Sequence, residues 1–239
     1  MLAGNVTMLR RQQGGAMSAL EVRDVLIPPM GLGGTLCIPH GARALTLFAH
    51  GSGSSRLSPR NRKVAEGLNR HGLATLLFDL LTGREEEDRA NVFDIDLLAT
   101  RLFDAVEWLG GEAGVAGSSI GLFGASTGAA AALVAATRLD GRVGAIVSRG
   151  GRPDLAGKVL DQIRVPTLLI VGGNDFGVIE LNEDALARLA GPKALEIVPG
   201  ATHLFAEPGT LEAVIDHAAR WFARYLTDPA TAPGHAAQP

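Results

Sequence analysis

Three residues, in one order along the chain, could do chemistry together: a serine, then an aspartate, then a histidine. Ser126 stands in Gly124-Ala125-Ser126-Thr127-Gly128, Asp175 in Val171-Gly172-Gly173-Asn174-Asp175, and His203 in Pro199-Gly200-Ala201-Thr202-His203. A serine hydroxyl is a weak nucleophile until a base takes its proton, and a histidine is best held for that task by a carboxylate on its other nitrogen. Such a set points to acyl transfer through Ser126, with His203 as base and Asp175 as orienting acid. The separations are 49 residues and then 28, room for one and a half strand–helix units and for one helix plus a strand.

The pattern G-x-S-x-G occurs twice, because Gly117-Ser118-Ser119-Ile120-Gly121 also fits it. Ser119 precedes an apolar run and Ser126 follows one, so only Ser126 has the strand-to-helix context of a nucleophile elbow. The plain alternative is a glycine-rich turn with an inert serine. Thr127, first in the following helix, offers a backbone N–H where an oxyanion would form. A second donor is expected in His50-Gly51-Ser52-Gly53-Ser54-Ser55, from the N–H of Ser52 with Gly53 close behind. The same loop, followed by Arg56, Arg60, Arg62 and Lys63, could instead seat a phosphate at a helix start. Asp79 is the rival for the acid, although chain order favours Asp175 and gives Asp79 a loop-supporting role. His40, His71, His217 and His235 fall at a hairpin, a helix end, a helix interior and the tail. Arg149 and Arg152, in Arg149-Gly150-Gly151-Arg152-Pro153-Asp154, could hold a substrate carboxylate; the plainer reading is a loop salt bridge with Asp154 or a nearby Glu. The acidic run Glu85 to Asp88 reads as a solvated loop.

To position these residues the chain must alternate strands and helices. Val22 to Ile27 and Thr35 to Ile38 read as a hairpin around a Pro/Gly-rich turn. Ala44 to Ala49, Ala74 to Phe78, Ile120 to Phe123, Ala145 to Ser148, Thr167 to Val171 and Leu195 to Val198 are apolar runs of the kind buried on both faces of a parallel sheet. Between them, helices are expected from Pro59 to Gly72, over Leu98 to Leu109, from Thr127 to Arg138, from a cap at Asn182 through Leu189, and from a cap at Thr210 through Tyr225. The fold class is α/β, a mostly parallel seven- or eight-stranded sheet with an N-terminal hairpin and helices on both faces. Ligand chemistry belongs at the carboxyl ends of such strands.

Composition excludes several function classes. With 239 residues, net charge −3 and mean hydropathy +0.19, the chain is too apolar for disorder and carries no positive field for nucleic acid or an anionic membrane. One cysteine excludes a disulfide framework or a Cys-cluster metal site and suits the cytoplasm. No uninterrupted apolar stretch is long enough for a membrane span. The expected organisation is an extension over 1–19, one domain over 20–227 and a Pro/Ala-rich tail over 228–239, and the Ser148 to Pro166 interval is too short for a lid domain.

With elbow, acid, histidine and the His50-Gly51 loop in place, residues from about 20 to 226 resemble the α/β-hydrolase superfamily. Within it, HGSGSSRLSPRN, Val64-Ala65 and Gly72-Leu73-Ala74-Thr75-Leu76-Leu77-Phe78-Asp79-Leu80-Leu81-Thr82 resemble the dienelactone-hydrolase-like branch. The resemblance implies Ser126, Asp175 and His203 as nucleophile, acid and base, with Ser52 and Thr127 as oxyanion donors. It departs at the nucleophile, where dienelactone hydrolases use cysteine; here Cys37 sits in an early strand. The function expected is hydrolysis of a small ester, lactone or thioester, with no metal or organic cofactor and with Gly53 and Arg149 lining the substrate site. The alternatives are an acyltransferase or peptidase with the same residues, or a non-catalytic ligand-binding protein on the same fold.

Overall fold

The computed structural model describes residues 6–9 and 19–228. Its elements run β1 (Val6–Leu9), β2 (Leu20–Ile27), β3 (Leu32–Pro39), β4 (Ala44–Ala49), α1 (Pro59–Arg70), β5 (Ala74–Phe78), α2 (Gly83–Glu86), α3 (Arg89–Phe93), α4 (Ile95–Leu109), β6 (Ser119–Ala125), α5 (Thr127–Arg138), β7 (Val143–Arg149), β8 (Thr167–Gly172), α6 (Phe176–Arg188), β9 (Lys193–Val198) and α7 (Thr210–Phe222). The strands form one sheet in the order β1-β2-β3-β5-β4-β6-β7-β8-β9. The first four are joined by antiparallel pairings, and every pairing from β5 to β9 is parallel. Eight strands from Leu20 onward match the expectation. The ninth, β1, lies inside the extension expected over 1–19; residues 1–5 and 10–18 of that extension and 229–239 of the tail lie outside the described residues.

Helices cover both faces because the central strands are apolar on both. On one face α4 and α5 pack through Leu98, Leu102, Val106, Ala130 and Leu133. On the other α1 and α7 pack through Val64, Leu68, Val214, Ile215 and Phe222. The two helices of the second face approach closely at Gly67, where a Cβ would lie 2.5 Å from Ile215 Cγ2.

Local signals explain the boundaries. Ser58 Oγ accepts the Asn61 N–H, and Pro59, which has no N–H to satisfy, fills the first position of α1. Asp94 caps α4 through the Leu97 N–H at 2.9 Å, and Gly110 ends it as expected.

Three expectations are corrected. Thr210 does not cap α7: Gly209 holds the cap position with a left-handed backbone, and Thr210 is the first helical residue, its hydroxyl donating to Glu207 O. Asn182 does not cap a helix; α6 begins at Phe176 with Asp175 in the cap position, and Asn182 is fully buried in its middle, donating to Gly151 O and Val178 O. The run Glu85 to Asp88 is not simply a solvated loop: Glu86, Glu87 and Asp88 are exposed, but Glu85, half-buried, forms a capping box with Thr82 at α2 and accepts from Arg101 at 2.7 Å. Hydrogen bonds from Thr82 hold its carboxyl below the ordinary glutamate value. Between β7 and β8 lies a short 3₁₀ segment, Pro153–Gln162, broken at Gly157, so no lid domain stands over the sheet.

Candidate active site

β6 ends at Ala125 and α5 starts at Thr127, so Ser126 makes the whole turn between them. Its backbone sits at φ 52° and ψ −122°, a conformation that costs a non-glycine residue about 1–3 kcal/mol. The surroundings enforce it. A Cβ on Gly124 would lie 2.4 Å from Ala129 Cα, and one on Gly128 would lie 2.2 Å from Ala49 O, so strand and helix meet only across glycines. Three backbone bonds pin the turn: Ser126 N–H donates to Arg149 O at 3.3 Å, and Ser126 O accepts from Ala129 N–H and Arg152 N–H, each at 3.1 Å. The hydroxyl is not spent on capping α5.

Asp175 leaves β8 after Gly172 and Gly173, and His203 follows β9. The turns interlock, since a Cβ on Gly172 would lie 2.4 Å from Ala201 O. His203 Nδ1 lies 2.7 Å from Asp175 Oδ2. A carboxylate accepts, so Nδ1 carries the proton and Nε2 is left to accept one. The side-chain hydrogen bonds among the described residues join His203 to Asp175 and not to Ser126. The segment 149–152 touches both: Arg149 and Arg152 bond the Ser126 backbone, and Gly150, at φ 50°, packs its Cα side against the His203 ring.

The two expected oxyanion donors are neighbours. Ser52 N–H donates to Thr127 Oγ1 at 2.9 Å, while the Thr127 N–H, at the first position of α5, has no partner inside the helix. Gly51 is pressed against the elbow, for a Cβ there would lie 3.0 Å from Ser126 Cβ, and Gly53 takes a positive φ facing open space. His50 anchors this loop from below. Its Nε2 accepts Leu80 N–H at 3.1 Å, which leaves Nδ1–H to donate to Gly51 O at 3.0 Å. Burial pushes its pKa down. Asp79, the rival acid, instead holds the same loop through the Arg56 backbone and guanidinium. Beside the loop opens a cavity of about 550 Å³, bounded by Gly51, Ser52 and Arg60 above an apolar floor of Leu80, Leu81 and Leu98.

The loop ion pair with Asp154 forms, but at Arg152, bidentate at 2.7 and 2.8 Å. Arg149 is buried, and its Nη2 donates to the neutral Asn61 at 3.3 Å. Burial, then repulsion from Arg60, lowers its pKa to about 10. Of the other histidines, His71 caps the end of α1 and His217 sits in α7; His235 lies outside the described residues. Among the described residues no group of three His, Cys, Asp or Glu side chains could hold a metal ion. Sequence reasoning missed Asn61 and took Asn182 only for a cap, although each is a lone polar residue on a helix face otherwise given to Ala, Val and Leu.

Sheet order, the elbow after β6 and the loops after β8 and β9 define an α/β-hydrolase fold. The chain belongs to the Dienelactone hydrolase family, which its sequence matches over residues 55–226. The crystal structure of a dienelactone hydrolase from Anabaena variabilis is 51% identical, with a TM-score of 0.82 over 92% of this chain and 99% of that one. An esterase domain from Rhodothermus marinus shares the fold at 23% identity and a TM-score of 0.65, over 87% of this chain and 99% of that one. A Mycobacterium tuberculosis protein, provisionally named a phosphoribosyl transferase, is 57% identical over 209 residues, which are 87% of this chain and 47% of the relative. The chain thus spans about half the length of the curated relatives it matches.

Proposed function

We propose that this hydrolase cleaves a small carboxylic ester, lactone or thioester through an acyl-enzyme on Ser126. His203 Nε2 takes the Ser126 proton as the oxygen attacks the carbonyl, then returns it to the leaving group. Asp175 holds the imidazole in the Nδ1–H tautomer and stabilises the imidazolium. A water activated by His203 then releases the acid. The backbone amides of Thr127 and Ser52 receive the oxyanion, the second by exchanging Thr127 Oγ1 for the substrate oxygen, and Gly53 lets the loop turn toward it. The chemistry uses a small-molecule substrate and no cofactor.

The 2.7 Å Asp175–His203 bond, together with a serine held in a strained elbow at the end of β6, is the observation that supports this reading most strongly. Among the described residues no helix is long and apolar enough to cross a membrane, and burial raises the pKa of the lone Cys37, an inert thiol suited to a reducing cytoplasm. The transferase name belongs to a protein roughly twice as long; the reading rests on the site this chain carries. Purified protein is expected to hydrolyse p-nitrophenyl butyrate and to be labelled by a fluorophosphonate at Ser126. Labelling elsewhere, or activity retained in Ser126→Ala, overturns the reading.

A further inference from the structure

The two sides of the site are built on different strands, and the sheet stops short of joining them. On one side Ser126 follows β6, and its turn is bonded to residues 149–152 after β7. On the other side Asp175 follows β8 and His203 follows β9, and their loops are bonded to each other. Gly173 N–H donates to Val198 O at 2.8 Å and Asn174 N–H to Ala201 O at 2.9 Å, beyond a ladder that itself reaches Gly172 and Val198. Between the two sides the ladder is shorter. β7 and β8 pair only over Ile146–Arg149 and Thr167–Ile170, ending well before Asp175. Past that point, Gly150 N–H to Ile170 O at 2.8 Å is the last backbone bond between them among the described residues.

Asn182 supplies the next link with its side chain. It lies in the middle of α6, the helix that begins at Phe176 with Asp175 in the cap position, and it is fully buried. Its Nδ2 donates to Val178 O at 2.8 Å and to Gly151 O at 3.0 Å. Val178 N–H in turn donates to Asp175 O, and Arg152 N–H, next to Gly151, donates to Ser126 O. A short run of hydrogen bonds therefore leads from the backbone of the acid to the backbone of the serine. Gly151 is wedged on the serine's side, since a Cβ on it would lie 1.9 Å from Ser148 Oγ and 2.7 Å from Ala129 Cβ, so a bond to its carbonyl holds that side as a whole.

An asparagine is costly at this position. It is a poor helix former in a helix interior, and its Oδ1 is buried without a partner. Stability of α6 alone favours an apolar side chain there, beside the buried Ala185; the amide gains a fixed place for Gly151. That place matters to the chemistry. His203 is bonded to Asp175 and not to Ser126, so the gap between imidazole and hydroxyl follows the spacing of the two sides. Proton transfer needs the base within hydrogen-bond reach of the hydroxyl, and small displacements there cost rate steeply.

We infer that Asn182 is a positioning residue, which fixes the spacing between Ser126 and the Asp175–His203 pair by tying α6 to Gly151. The inference rests on the hydrolase reading of those three residues.

Asn182→Leu, which removes the amide at similar volume, and Asn182→Ser, which is too short to reach Gly151 O and keeps the test open if the first does not fold, would be compared with the parent protein. Leu189→Ala is the control, a buried position at the end of α6 that loosens the helix without touching the loop. Either Asn182 variant is expected to show a kcat on p-nitrophenyl butyrate about tenfold lower at unchanged KM. Its rate of fluorophosphonate labelling should fall in step, while the endpoint stays at one label per chain. The complete endpoint separates a misplaced serine from a loss of folded protein. Leu189→Ala should lower the urea midpoint yet react at the parent rate. Parent-like kcat and labelling rate in a folded Asn182 variant overturn the inference, and so does an equal loss in Leu189→Ala, which would trace the effect to the general packing of α6. A parent protein that takes no label at Ser126 overturns it together with the hydrolase reading; a labelled parent beside an unaffected Asn182 variant removes the positioning role alone.

Discussion

Strand β6 carries G-x-S-x-G at both ends, and the two copies do different things. At its start, Ser119 is the first strand residue, its N–H donating to Arg43 O at 3.3 Å in ordinary sheet continuation. The last glycine of that copy, Gly121, serves packing, since a Cβ there would lie 2.6 Å from Phe222 Cε1 of α7. The cavity at this end, about 280 Å³, is lined by Leu45, Leu109, Val115, Ser118, Ser119 and Arg142 among others, with no acid and no histidine. At the far end Ser126 sits at φ 52°, with Asp175 and His203 bonded to each other beyond the same loop that holds its backbone. The motif is the same; the direction of the sheet differs. In a parallel sheet the loops leaving β4, β6, β7, β8 and β9 all emerge at one end, together with the amino end of α5, so polar side chains and a positive dipole converge there.

Replacing each serine is the largest test of that contrast. Ser126→Ala is expected to lower kcat by up to about 10⁶-fold, and Asp175→Asn by about 10⁴-fold because it misdirects the imidazole tautomer. Ser119→Ala should leave ester hydrolysis at the level of the parent protein. Steady-state rates on p-nitrophenyl butyrate decide it, and a Ser119 variant that lost activity in step with Ser126→Ala would collapse the distinction.

The glycines give an intermediate effect. Gly128→Ala drives a methyl into Ala49 O, a backbone atom that cannot rotate away, and is expected to cost about 3 kcal/mol. Gly117→Ala meets open space and pays only for its φ of 80°, about 1–2 kcal/mol. Urea midpoints at constant slope would rank them, and equal losses would mean the elbow is no tighter than the turn before the strand.

Much of this contrast is legible in the residues. The order serine, aspartate, histidine, each after an apolar run, places all three at one end of a parallel sheet before any coordinate is known. The strand-to-helix position of Ser126, against the loop-to-strand position of Ser119, selects between the motifs. What spacing could not supply is which arginine pairs with Asp154: Arg149 and Arg152 lie in one short loop, and only the strand register, which turns Arg149 toward α1, separates them. Asn182 misled because asparagine favours caps, yet inside α6 its amide reaches Gly151 O and ties the helix that starts after Asp175 to the loop beneath Ser126. Long-range polar bonds of this kind leave no periodic trace in a sequence.

The smallest effect concerns His50, which has no counterpart at the Ser119 end, where no residue lining the cavity titrates near neutral pH. His50 is neutral in the folded chain because its Nε2 accepts Leu80 N–H and burial opposes a charge, while the Gly51 carbonyl and the Asp79 and Glu86 carboxylates oppose that shift. Its folded pKa therefore lies below the 6.5 of an exposed histidine. As pH falls below 6.5 the unfolded chain takes up a proton that the folded chain refuses, so folding loses free energy across the window down to the lowered value. Above 6.5 the contribution is complete. Urea unfolding of the parent and of His50→Gln, which keeps an acceptor but cannot titrate, should show a shallower loss with acid in the variant. Identical slopes would mean that the ring is not held neutral, and that the loop after β4 is no more firmly tied to Leu80 than the loop before Ser119 is to the sheet.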